Sequence, residues 1–196
     1  MANTQSQFGF KHIGFISGSA PDYQLSTRLL QSSYSTAIFF GDPVVKSTGT
    51  QYIRTPADNT TLPVDSVFQG CWFVPKGGGA PVYSPYWPGS VQTDATAYVV
   101  DAPGALFLAA ALLTSVTGSS LNTNIGWSTG AGGATTGGAF SSYVVDSATA
   151  TAQNSWPFRV VSYYQGIGNG SDTTTNYAWC VVTFNNQRYK NLSAVL

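Results

Sequence analysis

The stretch that ends at Pro88 constrains the fold more than any other part of the chain. Two aromatic-rich runs, VFQGCWFVP (67–75) and YSPYWP (83–88), lie on either side of Gly77-Gly78-Gly79. Phe, Trp, Tyr and Val suit a pleated, half-buried surface, and three successive glycines cannot hold a helix against their backbone entropy. The stretch therefore predicts a strand, a turn and a second aromatic edge.

Prolines at positions 75, 81, 85 and 88 have no backbone N–H to donate, so long regular strand pairing is not expected near this stretch. Strand-like runs recur along the whole chain between Gly, Pro, Asn and Asp turn residues. They are 34–45, 51–55, 67–74, 95–100, 140–145, 156–164, 177–184 and 188–192. We expect a mainly β fold, a barrel or sandwich of short antiparallel strands with long irregular loops.

One apolar run, ALFLAAALL (105–113), leaves the element type open. Asp101 could cap a helix with Pro103 in its first turn, but that helix would be apolar on every face. A strand through Ala105 to Ala109 agrees better with the neighbouring β elements.

The runs 156–164 and 177–184 flank a loop rich in Gly, Asn and Asp, which predicts a hairpin with an extended tip.

The composition divides the chain into four segments. Residues 1–34 carry Phe among glycines and predict an extended N-terminal arm, and residues 35–113 predict the β-barrel or sandwich core. Residues 114–139 are rich in Gly, Ser and Thr and predict a surface excursion or a seam between two lobes. Residues 140–196 predict strands that complete the core or form a second β lobe.

Charge is sparse and balanced, with eight Asp, no Glu, four Lys and four Arg. The cations are scattered singly, so no basic patch is available to neutralise a run of phosphates and nucleic-acid binding is not expected. A net charge of zero removes the self-repulsion that keeps a monomer soluble. This balance favours a protein that associates with itself or with a partner.

The sequence carries no signal for secretion or for a membrane span. The N-terminal MANTQSQFGFKHIGF lacks the charged and apolar regions of a signal peptide, and the run 105–113 is about half of what a bilayer requires. We therefore expect a soluble chain made in the cytoplasm.

Cys71 and Cys180 could pair, but two cysteines in a reducing compartment favour separate buried thiols.

No pattern of residues predicts catalysis, a metal or a cofactor. The single histidine, His12, has no carboxylate near it in sequence before Asp22, and no GxSxG motif occurs. The aspartates lack the spacing of a calcium loop. The tip Asn169 to Asp172 could chelate a cation weakly, but its residue types also suit a plain hairpin loop. We expect a protein without enzymatic activity.

Aromatic residues supply the candidate contact sites. In the N-terminal segment, Phe rings must bury either against their own domain or against a neighbouring molecule, because each contributes about 1.5–3 kcal/mol when removed from water. Near Pro88, Tyr83, Tyr86 and Trp87 could serve an assembly interface, lie in the core or stack on sugars. The interface candidates are Phe8, Phe10, Phe15, Tyr23, Arg28, Tyr86 and Trp87.

A set of segments in a fixed order resembles one group of viral proteins. The segments are FGFKHIGFISGSAPDYQLSTRLL, TAIFFGDPVV, VFQGCWFV, YSPYWPG, AYVVDAPGALF, PFRVVSYY and VTFNNQRYKNL. Together they resemble the cement or decoration proteins of tailed bacteriophages, which coat a shell built by a separate major capsid protein.

The resemblance implies a structural virion protein on the outer capsid surface that stabilises the shell across capsomer joints. Its partners would be the major capsid protein and copies of itself as a dimer or trimer. Two alternatives stay open. One is a head-fibre or tail-associated virion protein that binds a receptor or glycan, and the other is a β-sandwich enzyme acting on polysaccharide.

Overall fold

The computed structural model describes residues 7–21, 25–56, 63–112, 120–129, 141–152, 154–164, 166–168, 170–174 and 176–190. These residues form fourteen β-strands, and no α-helix occurs within the described ranges. The strands are β1 Lys11–Phe15, β2 Ser26–Leu30, β3 Ile38–Phe39, β4 Pro43–Lys46, β5 Ile53–Arg54, β6 Ser66–Phe73, β7 Val82–Ser84, β8 Tyr86–Trp87, β9 Ala95–Val100, β10 Ala105–Leu112, β11 Asn124–Thr129, β12 Tyr143–Thr151, β13 Phe158–Tyr163 and β14 Trp179–Phe184. The prediction of a mainly β fold is confirmed.

Five strands close into a barrel in the order β10, β12, β11, β13, β14, with β14 returning to β10. The pairing of β14 with Leu106–Ala110 takes up one edge of β10. Strand β1 pairs with β10 at Ala105–Leu108, and β12 pairs in parallel with β10 at Ala111 and Leu112. Because β14 occupies one edge, β1 and β12 share the other, one after the other along the strand.

The barrel interior is filled by aromatic rings around Phe158. The ring of Phe158 stacks on Phe10 at 4.3 Å and on Phe184 at 5.7 Å, and the edge of Trp127 approaches it at 5.9 Å. Phe10 is fully buried, although it precedes the first strand. The described part of the predicted arm therefore supplies a ring to the core of its own barrel, and β1 and β2 within it pair with strands of the same chain.

The second sheet has the order β2, β9, β6, β4, β5, with β7 beside β6. It curls into a half-barrel whose outer strands meet at one parallel bridge between Leu29 and Tyr52. Strands β3 and β8 form a separate two-stranded ribbon. The concave side buries a second apolar cluster that includes Leu30, Phe68 and Trp87.

Polar contacts join the barrel to the half-barrel. The side chain of Gln187 is fully buried, and its Nε2 donates to the carbonyl oxygens of Asp65 at 2.9 Å and Asp101 at 2.7 Å. The backbone N–H of Phe10 donates to the carbonyl of Gly41 at 2.9 Å. Val64 and other apolar residues of the half-barrel belong to the barrel's core cluster. The two sheets pack as one unit through these contacts.

The polar segment 114–139 contains a barrel strand, which differs from the predicted surface excursion. Strand β11 buries Ile125 and Trp127 in the barrel core, and it pairs with both β12 and β13. The indole of Trp156 covers Gly126, where an added Cβ would lie 2.9 Å from the ring. This strand is only six residues long, and the small polar residues on either side of it hide its β pattern in the sequence. Positions 114–119 and 130–139 lie outside the described residues.

Several local predictions can be compared with the strands. The prediction of a strand through Ala105 to Ala109 is confirmed by β10, and the predicted hairpin is confirmed by the antiparallel pair β13 and β14. The predicted division of the chain after residue 113 does not separate two structural units. Strand β10 precedes it in the chain and pairs with β12 and β14, which follow it. The predicted last strand is wrong as far as it is described, because Arg188–Lys190 form a turn closed by a hydrogen bond from Lys190 N to Gln187 O.

Candidate interaction surface

Three aromatic side chains form a row on the outer face of the half-barrel. Trp72 on β6 lies directly opposite Tyr83 on β7, and their ring centroids are 6.0 Å apart. Tyr98 on β9 lies opposite Gly70 of β6, and its ring is 6.4 Å from that of Tyr83. Paired residues of neighbouring antiparallel strands project from the same face, so the three rings are contiguous. We call Trp72, Tyr83 and Tyr98 the aromatic row.

Gly70 allows the ring of Tyr83 to lie across β6. A Cβ at position 70 would come within 2.4 Å of the Tyr83 hydroxyl, and the φ of +133° is one that side chains rarely adopt. The Tyr83 hydroxyl donates a 3.1 Å hydrogen bond to the carbonyl of Gln69. A β-bulge lies between Phe68 and Gly70 at this point. The bulge and the glycine together fix the orientation of the exposed phenol.

The aromatic row is open to solvent and is bordered by uncharged residues. Trp72 is 44% exposed and Tyr83 is 52% exposed. Thr96 lies opposite Trp72, and Thr27 of β2 lies opposite Tyr98. Exposed aromatic rings with hydroxyls around them and little charge are typical of the centre of a protein interface. Partial burial of the ring raises the pKa of Tyr83.

The β3–β8 ribbon separates two adjacent aromatic residues. Tyr86 is 39% exposed and stacks at 6.1 Å on Phe39, its partner across the ribbon. Trp87 is fully buried, and its indole N–H donates to the carbonyl of Tyr34 at 3.0 Å. Successive residues of a strand point to opposite faces, so one ring can meet a partner while the next fills the core.

The seven residues predicted for the interface lie in different environments. Phe10 and Trp87 are buried in the two cores, and they present no surface to a partner. Phe8 is half-buried with its ring edge-on to Trp179 at 5.2 Å. Phe15 is half-buried against the barrel core.

The other three interface candidates are Arg28, Tyr23 and Tyr86, and their environments also differ. Arg28 is held within its own chain, because its guanidinium pairs with Asp101 and donates to the hydroxyl of Tyr189 at 2.7 Å. Tyr23 lies outside the described residues. Tyr86 keeps an exposed ring, so it remains a candidate for contact with a partner.

Sequence reasoning missed the aromatic row, although its residues were visible in the aromatic stretch and in β9. When the register is counted from the predicted turn at Gly77–Gly79, Trp72 on the strand before it lies opposite Tyr83 on the aromatic edge after it. Alternation in ATAYVV places Ala95, Ala97 and Val99 inward, which turns Tyr98 outward. The strand register and the alternation along β9 could therefore have predicted that these rings lie on one outer face.

A cleft of about 360 Å³ lies where β2 approaches β5, and charged residues line it. The carboxylate of Asp65 lies 2.9 Å from Nε of Arg188 and accepts a hydrogen bond from the backbone N–H of Lys46. Burial raises the pKa of Asp65, although Arg188 opposes this shift. Asp65 and Arg28, both at the cleft, are thus held by ion pairs within the chain, and the pair of Asp65 with Arg188 ties the half-barrel to the C-terminal turn.

Within the described ranges, no group of three or more His, Cys or Asp side chains is arranged to hold a metal ion. The described residues also contain no helix of the length and apolarity needed to cross a membrane. Cys71 and Cys180 are free, buried thiols in two different core clusters, as predicted.

Comparison of the chain with protein-family models, curated proteins and solved structures finds no match.

Proposed function

We propose that this protein is a structural virion protein that binds the outer surface of a phage capsid and stabilises the shell across capsomer joints. The observation that carries the proposal is the aromatic row, in which Trp72 and Tyr83 expose large rings from a rigid sheet. Aromatic side chains on strands lose little conformational freedom on binding, because their sheet already orders them. Such a surface suits adhesion to another protein.

The residues paired with the rings of the aromatic row are uncharged, which supports binding through apolar contact. Thr27 and Thr96 border the rings at the paired positions of β2 and β9. Apolar contact is not screened by ions, so we expect shell binding to change little when salt rises from about 0.05 M to about 0.5 M. Many copies on a symmetric shell would convert modest affinity at each site into strong avidity.

The test is co-sedimentation with undecorated shells of the phage from which the chain derives. A double variant, Trp72→Ser with Tyr83→Ser, should reduce binding at least about tenfold, because interface aromatics often contribute about 2 kcal/mol or more each. Val161→Ser is the matched control, since Val161 is an exposed apolar residue of β13 on the barrel. Melting curves of both variants separate loss of binding from loss of folding.

Two results would overturn different parts of the proposal. Wild-type binding by a folded double variant would remove the aromatic row from the contact surface. Failure of the wild-type protein to bind any undecorated shell would remove the capsid role itself.

A second candidate function is glycan binding by a head-fibre or tail-associated virion protein. The observation that favours it is the combination of two exposed rings with neighbouring threonine hydroxyls, because sugars stack on aromatic rings and hydrogen-bond to hydroxyls. A glycan array distinguishes the two functions. Saturable binding to one glycan that is lost in Trp72→Ser would favour this candidate over capsid cementing.

A further inference from the structure

A small pocket lies on the outer wall of the barrel, away from the aromatic row. Its volume is about 250 Å³, and it is lined by Phe8, Lys11, Phe40, Leu108 and Trp179. Leu108 and Trp179 project outward because their strand neighbours Phe107 and Cys180 face the barrel core. The pocket therefore has four apolar walls and one cationic side chain.

Lys11 brings a positive charge without a partner among the described residues. The ion pairs of the described residues are Arg28 with Asp101 and Arg188 with Asp65, and neither involves Lys11. Lys190 differs, since its Nζ donates to the carbonyl of Phe184 at 2.7 Å. Lys11 is exposed on β1, where it lies opposite Leu108. Its ammonium group is available to an anion at the pocket.

Trp179 forms one wall of the pocket. Its ring is held between Phe8 at 5.2 Å and Tyr164 at 5.0 Å. The backbone of Gly170 packs against the indole, where a Cβ would lie 2.2 Å from the ring. The indole Nε1 is buried, and it has no acceptor within the described part of the chain. With its N–H covered, the ring meets the pocket as an apolar wall held in place by its neighbours.

We propose that this pocket binds an apolar group that carries a carboxylate. The apolar walls take a ring or a short alkyl chain, because the pocket is smaller than the roughly 300–1,000 Å³ of sites for larger ligands. The carboxylate pairs with the ammonium group of Lys11. The same chemistry is presented by a free aromatic or aliphatic acid and by an apolar residue beside an acidic one on a polypeptide. This site is separate from the aromatic row, and its test requires no shell.

The test is an NMR titration of the full chain with phenylacetate and hexanoate, each matched with its neutral amide. The carboxylates should bind about two- to fivefold more tightly than the amides, as expected for an exposed ion pair. The indole N–H signal of Trp179, assigned with Trp179→Phe, should shift on binding. Lys11→Gln should reduce the ratio between carboxylate and amide to about one, whereas Lys76→Gln, an exposed lysine at the Gly77–Gly79 turn, should preserve it.

A second arm distinguishes the two sources of the ligand. N-acetyl-Asp-Phe-amide is titrated beside N-acetyl-Asn-Phe-amide, and tighter binding of the acidic peptide than of phenylacetate assigns the site to a polypeptide. Tighter binding of the free acids assigns it to a small molecule. Equal affinities for acids and amides in the wild-type chain, an unchanged Trp179 signal, or no saturable binding of any probe would overturn the proposal.

Discussion

The side chains of Asp42 and Ser141 are hydrogen-bonded to each other at the junction between the half-barrel and the barrel. The Asp42 carboxylate also accepts a 2.8 Å hydrogen bond from the backbone N–H of Phe39, and it is almost fully buried. Its Oδ1 has no hydrogen-bond partner among the described residues. Burial raises the pKa of Asp42 to about 7, and the two hydrogen bonds oppose that shift only in part.

The raised pKa predicts a protein that loses stability as the pH rises. Asp42 has a pKa of about 7 in the folded chain against 3.8 without the fold, so the folded state binds more protons between these values. The free energy of unfolding should fall by up to about 4 kcal/mol across that window and stay level above it. Urea unfolding between acid and neutral pH measures this slope.

Asp42→Asn should remove most of that slope, because the neutral amide has no charge to desolvate. Asp172→Asn is the control, since hydrogen bonds from Thr174 lower the pKa of Asp172 and its contribution has the opposite sign. A slope that persists in Asp42→Asn would show that another group controls the dependence on pH.

Gly70→Ala should destabilise the half-barrel. The new Cβ would collide with the Tyr83 hydroxyl and with the carbonyl of Ser84 at 2.9 Å, at a φ of +133°. We expect a loss of about 2 kcal/mol or more in the free energy of unfolding. Gly77→Ala is the matched control, because a Cβ there meets nothing within 4 Å and φ is not in the left-handed region. Equal stability of the two variants would contradict the close contact at Gly70.

The adjacent residues Tyr86 and Trp87 should respond differently to alanine. Trp87→Ala should cost about 3–5 kcal/mol, because it empties a buried site and removes the hydrogen bond to Tyr34. Tyr86→Ala should cost about 1 kcal/mol or less, since its ring is partly exposed. Chemical unfolding of both variants tests the alternation of the ribbon, and similar losses would show that its register is different.

The two cysteines should be unreactive in the native protein. Burial raises the pKa of Cys71 and of Cys180 to about 12, so almost no thiolate forms at neutral pH. A thiol reagent such as DTNB should label neither cysteine under native conditions and both after denaturation. Rapid labelling of the folded chain would indicate that one thiol reaches solvent.

Local propensity was enough to predict the strands whose own residues alternate between apolar and polar or are rich in Val and aromatic residues. The run 95–100 has the alternation of β9, and the flanking runs of the Gly-rich loop have the Val and aromatic content of β13 and β14. Strand β11 could not be predicted in this way, because only Ile125 and Trp127 stand out from their polar neighbours. The barrel stabilises it from both sides through β12 and β13.

The candidate site was harder to predict than the strands. An aromatic residue contributes the same propensity whether it faces inward or outward, so composition could not separate Tyr86 from Trp87. The N-terminal rings were equally ambiguous, because Phe10 occupies a cavity made by strands that follow it much later in the chain. Only the register and the three-dimensional contacts assign each ring to a core or to a surface.

The closure of the barrel has a consequence for synthesis on the ribosome. The ring is completed when β14, the last described strand, pairs with β10. A nascent chain that has not yet exposed Phe184 keeps one edge of β10 free, and free edges recruit strands from other chains. Truncation of the chain upstream of β14 should therefore yield insoluble fragments.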